Sequence, residues 1–116
     1  MAYVDGYVLA VPTANREAYR KMAEDVSAVF KEYGALKHVE CWGNDVPQGK
    51  VTSFPMAVKC KADETVVFSW ILWPSREMRD EGMKKAMADP RMQPAGDMPF
   101  DGKRMIFGGF EVIVEN

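Results

Sequence analysis

The sequence predicts an α+β fold, a ferredoxin-like βαββαβ sandwich in which two helices cover one face of a four-stranded antiparallel sheet. Two observations carry that expectation. Stretches rich in β-branched and aromatic residues at 3–12, 35–42, 64–73 and beyond 102 alternate with two helical patterns, at 13–34 and 74–90, in the order strand, helix, strand, strand, helix, strand. The length of 116 residues fits one domain, 1–116, able to bury roughly two-thirds of its unfolded surface without covalent staples.

"YVDGYVLAVP" reads as the first strand, ending at Pro12. Its alternation puts Tyr3, Asp5, Tyr7 and Leu9 on one face and Val4, Gly6, Val8 and Ala10 on the other. The second set is small and apolar, which suits a closely packed helix; the first is bulky and carries a carboxylate. "TANREAYRKMAEDVSAVFKEYG" follows as a helix with Thr13 as its expected cap and Gly34 at its end. Tyr19, Met22, Ala23, Val26, Phe30 and Tyr33 recur at spacings of three and four and form its apolar stripe. Glu17–Lys21 and Arg20–Glu24 are expected as solvent-side ion pairs.

"ALKHVECW" is the second strand, with Leu36, His38, Glu40 and Trp42 on one face, and "GNDVPQGK" is the loop that leaves it. "SFPMAVKC" fits a short helix, with Ser53 as cap and Pro55 in its first turn, or a further short strand. "ETVVFSWILW" is apolar on both faces, so both faces call for cover. "PSREMRDEGMKKAMADP" is a second helix, capped by Ser75 and stopped at Asp89–Pro90, and an Asp101–Gly102 turn leads into the last strand.

Composition narrows the function. A net charge of −2 provides no basic surface for nucleic acid. No apolar run approaches the roughly 20 residues of a membrane helix, and the N-terminal stretch, broken by Asp5 and Gly6, is not a signal peptide. Cys41 and Cys60 lack CxxC spacing and read as buried free thiols of a cytoplasmic protein. One histidine cannot build a histidine metal cluster, and no metal or other cofactor is expected.

Two helices cover only one face of the sheet. The other is left with Tyr3, Tyr7, Trp70 or Trp73, and Phe107 or Phe110, an apolar area too large for ordinary exterior. A twofold homodimer packed sheet against sheet is the economical solution. "YVDGYVLAVP", "VECWGNDVPQGK", "ETVVFSWILWPSREMRD", "MADPRM" and "MPFDGKRMIFGGFE" together resemble the bacterial YbaA-like family of uncharacterised proteins over essentially the whole chain. The resemblance implies a dimeric α/β barrel, two ferredoxin-like subunits closing their sheets around a cavity. Haem binding on that wider fold would call for a histidine on the second helix, which this chain lacks.

The candidate site lies on the mixed face. With Tyr3, Asp5 and Tyr7 turned into the dimer cavity, Asp5 is a carboxylate among aromatics and a proton-transfer group. Ser69, Glu111, Glu40 and Trp42 reach the same region from neighbouring strands. Asp5 and Glu40 are the expected catalytic residues, and Tyr7, Trp42, Ser69 and Arg104 the expected ligand-binding ones. The opposing reading is that Asp5 pairs with a base such as Arg104 and merely holds the interface. His38 reads as a structural histidine. Two functions follow: a cofactor-independent enzyme working on a small aromatic or carbonyl compound, as monooxygenases and isomerases of the same fold do, or a non-catalytic dimer that binds a ligand or a partner protein. An ion-paired Asp5 favours the second.

Overall fold

The computed structural model describes residues 1–93 and 96–116. Strand β1 (Tyr3–Pro12) is the axis of the sheet. It pairs antiparallel with β3 (Glu64–Trp73) on one side, Tyr3 opposite Trp73 and Pro12 opposite Glu64, and with β4 (Ile106–Glu111) on the other. Strand β2 (Lys37–Trp42) pairs with the far edge of β3, giving the antiparallel order β2-β3-β1-β4. The ferredoxin-like α+β fold is therefore present, with α1 (Arg16–Glu32) and α3 (Arg76–Ala88) as its two crossover helices.

Both helices lie on the face that carries Tyr3, Asp5, Leu9 and Val11. One core cluster joins Tyr3, Ile71 and Trp73 to Val29, Phe30 and Ala86; a second joins Leu9, Val11 and Val67 to Tyr19 and Ala23. This reverses the face expected for the helices. The small residues Val4, Gly6 and Val8 belong to the open face with Phe68, Trp70 and Phe110, while Tyr3, Tyr7, Trp73 and Phe107 lie on the helix side. The physical reason is volume and charge: large aromatic side chains fill the gap between sheet and helices, and Asp5 is tolerated there because it is fully partnered. Close packing remains at Gly82 of α3, where an added Cβ would sit 2.5 Å from both the Trp73 ring and the Tyr33 carbonyl oxygen.

Local signals act largely as the sequence indicates, with two changes, and the choice left open at 53–60 falls to the helix. Thr13 does not cap α1: residues Thr13–Asn15 form a 3₁₀ turn, and the Thr13 hydroxyl bonds Thr65 Oγ1 at 2.7 Å. Glu17 pairs with Arg20, and Lys21 with Asp25, in place of a Glu17–Lys21 pair. Residues Phe54–Ala57 form a one-turn helix, α2, whose Ser53 hydroxyl accepts from the Met56 N–H at 3.1 Å. Val58, just after it, closes over Ala10 and Val66 at one end of the open face. The rest of that face is bare: Phe68 is 44%, Ile106 45% and Phe110 60% exposed. Both cysteines are free, and Cys41 is exposed on this face instead of buried.

Candidate functional site

Because opposite residues of neighbouring strands share a face, the register aligns polar side chains in two adjacent rows beneath the helices. One row runs Glu40, Ser69, Tyr7, Phe107 across β2, β3, β1 and β4; the next runs His38, Ile71, Asp5, Gly109. Each row holds one carboxylate, and the two are satisfied differently.

Asp5 is buried and receives a guanidinium. Arg79 of α3 donates from Nε to Oδ1 at 3.0 Å and from Nη2 to Oδ1 at 2.8 Å, while the Trp73 indole N–H donates to Oδ2 at 3.0 Å. The same guanidinium lies 5.0 Å from the Tyr3 ring centroid, a cation–π contact. Gly109 makes the approach possible, since a side chain there would collide with the Arg79 guanidinium. Asp5 thus has the basic partner that favours a structural role, and that partner is Arg79, not Arg104.

Arg104 stands elsewhere, on the turn before β4. It holds Glu64 through Nη1 at 2.7 Å and Nη2 at 2.6 Å, and Asp101 through Nε at 3.1 Å. Those bonds from Arg104, opposed by burial, keep the Glu64 carboxyl at about 2, well below its usual range. Glu111 lies opposite Tyr3 on the exposed edge strand.

Glu40 is the centre of the other arrangement. Oε1 accepts from the Tyr19 hydroxyl at 2.7 Å; Oε2 accepts from the Ser69 hydroxyl at 2.8 Å and lies 2.6 Å from His38 Nε2. No lysine or arginine bonds it among the described residues. Its side chain is 24% exposed, whereas that of His38 is only 3% exposed, held edge-on to Phe30 at 5.5 Å between ring centroids. Burial, reinforced by the Glu40 charge and hydrogen bond, pushes the Tyr19 hydroxyl far above its ordinary pKa, so it remains a donor. Tyr7 is raised as well, by burial first and then by the Asp5 charge. Its ring stacks on Phe107 at 6.2 Å, and its hydroxyl has no hydrogen-bond partner among the described residues. Trp42 packs at the end of the same face beside Tyr19.

Of the expected site residues, Glu40, Ser69, Tyr7 and Trp42 therefore share one region, Asp5 lies one row away in its ion pair, and Arg104 is separate. Three partners of these carboxylates were not among the expected site residues. His38 bonds Glu40, as their i,i+2 spacing on one strand face allows, and its side chain is buried. Tyr19 was hidden in the apolar stripe of α1, and nothing in "SREMRD" marks Arg79 as the partner of Asp5.

Two hollows lie off this cluster. One, about 370 Å³, is lined by Cys41, Trp42, Asn44, Phe54 and Phe68; the other, about 490 Å³, by Gln48, Cys60, Lys61, Glu64 and Thr65. Neither gathers the Glu40 network. Among the described residues no group of three or more His, Cys, Asp or Glu side chains is arranged to hold a metal ion, and no helix is long and apolar enough to cross a membrane.

Residues 2–102 match the family described as "Protein of unknown function (DUF1428)". The chain belongs to the DUF1428 family. It is 60% identical over 116 residues to the "Uncharacterized protein YbaA" of Escherichia coli strain K12, covering 99% of each chain, and equally so to that of Shigella flexneri. Among solved structures, this DUF1428 chain superposes on a mutant of SnoaB, a cofactor-independent oxygenase from Streptomyces nogalater, with a TM-score of 0.56 and 13% identity over 98% of this chain and 95% of that one. That likeness concerns the fold.

Proposed function

We propose that this protein is a cytoplasmic homodimer, joined sheet to sheet, in which Glu40 of each subunit moves a proton on a small phenolic or carbonyl compound without a cofactor. The observation that carries this is the state of Glu40: an accessible carboxylate held by two hydroxyls and an imidazole, with no guanidinium or ammonium bonded to it among the described residues. Its carboxylate is reached by solvent, the access that general-base work needs. His38 orients it from behind, and the free hydroxyl of Tyr7, one strand beyond Ser69, is a donor for a developing oxyanion. Proton abstraction from a carbon or phenol acid is the shared first step of isomerisation and of cofactor-independent oxygenation, which agrees in kind with the chemistry named for SnoaB.

The dimer rests on the bare face. Phe68, Ile106 and Phe110 expose a continuous apolar surface, which a second copy would cover. Native mass spectrometry of protein purified gently from its host is expected to give twice the 13.1 kDa chain. Phe68→Asp and Trp70→Asp are expected to give folded monomers or to fail to fold; two fully dimeric, folded variants would end the sheet-to-sheet assignment. Deuterium incorporation from D₂O into acetylacetone and simple phenols, read by NMR, tests the chemistry. Wild type is expected to accelerate exchange and Glu40→Gln to abolish the acceleration; equal rates would remove Glu40 as the base.

A second reading has its own support. Asp5 is ion-paired, and the 370 Å³ hollow on the open face is lined mainly by apolar groups, as a non-catalytic ligand-binding dimer would have it. An added small-molecule mass on the dimer, with no exchange activity, would favour that reading.

A further inference from the structure

The open face of the sheet has a hole at one corner and a knob at the opposite one. The hole is the hollow of about 370 Å³ at the end of β2, lined by Cys41, Asn44, Val46, Phe54, Val66 and Phe68. Gly43 makes the tight exit of the chain possible there, since an added Cβ would sit 2.6 Å from the Val66 carbonyl oxygen. Phe54 stands edge-on to Phe68 at 6.1 Å between ring centroids and is itself half exposed. The knob is the segment that follows β4. Val112 still keeps to the ladder, its N–H donating to the Ala2 carbonyl at 3.3 Å. Beyond it Ile113 is 84% and Val114 73% exposed, on a stretch with no backbone hydrogen bond among the described residues.

The strand register sets these features at the two ends of a diagonal. The hollow lies at the β2 corner, level with Trp42 and Val67; the segment leaves the β4 corner, level with Tyr3. Strand spacing and rise put the two about 30 Å apart. Gly6 of β1 falls near the midpoint, between Trp70 and Gly108 on its neighbouring strands. In a twofold contact whatever one copy offers its mate receives back. An axis lying in the contact plane, perpendicular to the diagonal and through its midpoint, sets each segment over the other copy's hollow in one operation. Because that midpoint is the centre of the sheet, the same axis stacks the two open faces over each other.

Area points the same way. Phe68, Ile106 and Phe110, each about half exposed, offer roughly 300 Å² from large side chains. A stable dimer takes about 800 Å² from each partner. Ile113, Val114 and Phe54 bring as many large apolar side chains again, and they bring them as a matched convex and concave pair.

We propose that residues 112–116 of each subunit dock into the hollow between Cys41, Phe54 and Phe68 of a second copy, so that two exchanged segments clamp the sheet-to-sheet dimer; the proposal rests on the dimer reading above. Ile113 and Val114 are the anchors, and the hollow is a site for the partner chain, not for a free ligand.

Cys41 lines the hollow as a free thiol and supplies the test. A disulfide needs Cα atoms about 4.4–6.8 Å apart, far less than the separation of positions 41 and 114 within one subunit, so a bond between them can form only across the dimer. Mild oxidation of Val114→Cys is expected to give a covalent dimer on a non-reducing gel, with peptide mapping placing the link at 41–114. The link is expected to be lost when Cys41→Ser is added. Ile113→Asp with Val114→Asp is expected to weaken the dimer about tenfold or more on dilution in native mass spectrometry, with the circular dichroism of the fold unchanged. A wild-type dimer whose Val114→Cys variant forms no 41–114 link, or whose double aspartate variant dimerises as tightly as wild type, overturns the exchange and leaves the sheet-to-sheet reading standing. A wild type that stays monomeric takes both down together.

Discussion

Asp5 and Glu40 lie on the same face of the same sheet, two strands and one row apart, and the chain treats them in opposite ways. Asp5 is buried against a guanidinium that approaches it bidentately, with an indole N–H on the remaining lone pairs. Glu40 is reached by solvent and bonded to side chains that carry no obligatory charge. A carboxylate buried against arginine has its lone pairs committed and little left to offer a substrate. One held by hydroxyls and an imidazole and reached by solvent keeps a side that a substrate can approach. Burial by itself is therefore a poor guide to reactive carboxylates; the charge of the partner discriminates better.

The sharpest way to break the comparison is to remove the guanidinium. Arg79→Met leaves a charged Asp5 buried with only Trp73 for company, and stability is expected to fall by about 3–5 kcal/mol in urea unfolding. The double variant Asp5→Asn, Arg79→Met is expected to recover most of that loss, since it is the orphaned charge and not the missing bond that is expensive. Equal losses in the single and double variants would show that Arg79 acts through its packing on Tyr3.

Much of this was legible in the sequence, and the parts that were not share a cause. The order of strands and helices along the chain, both long helices, the Ser75 cap and the stop at Asp89–Pro90 depend on local chemistry, which neighbouring residues reveal; at 53–60 the same signals left helix and strand both open. The direction in which β1 faces does not. Its alternation separates Tyr3, Asp5 and Tyr7 from Val4, Gly6 and Val8 correctly, but choosing the helix-covered set requires knowing that Arg79, 74 residues away, neutralises Asp5. The same holds within the site. Glu40, Ser69 and Tyr7 were candidates from strand neighbourhood, whereas Tyr19 is brought in by the way α1 crosses the sheet, a tertiary fact that its place in an apolar stripe conceals.

Glu64 extends the comparison to a third carboxylate, which should follow Asp5. Its folded pKa of about 2 lies below the ordinary glutamate value because Arg104 bonds the ionised form. A depressed carboxylate contributes stability above its unfolded pKa and loses it as pH falls through the folded one. Stability is therefore expected to decline from near pH 4.5 toward pH 2, and Glu64→Gln to flatten that limb while lowering stability at neutral pH. An unchanged acid limb in Glu64→Gln, followed by circular dichroism, would mean the bond to Arg104 is no stronger in the folded chain than water is in the unfolded one.

The smallest expected effect is the most informative. Glu40→Gln removes a charge that no arginine or lysine was bonded to, and the new amide oxygen still accepts from a hydroxyl, so stability should change by no more than about 1 kcal/mol. His38→Gln should behave alike, because the buried imidazole gives up one bond and an edge contact with Phe30. The two together should be less than additive in stability, because they share one hydrogen bond, and strongly non-additive in any exchange activity. A loss for Glu40→Gln as large as that of Arg79→Met would show that Glu40 is a second structural anchor and that the two rows differ only in the identity of their donors. A near-neutral Glu40→Gln leaves the network without a stability reason to exist, which is the condition under which a polar cluster in a sheet face is best explained by the chemistry it performs.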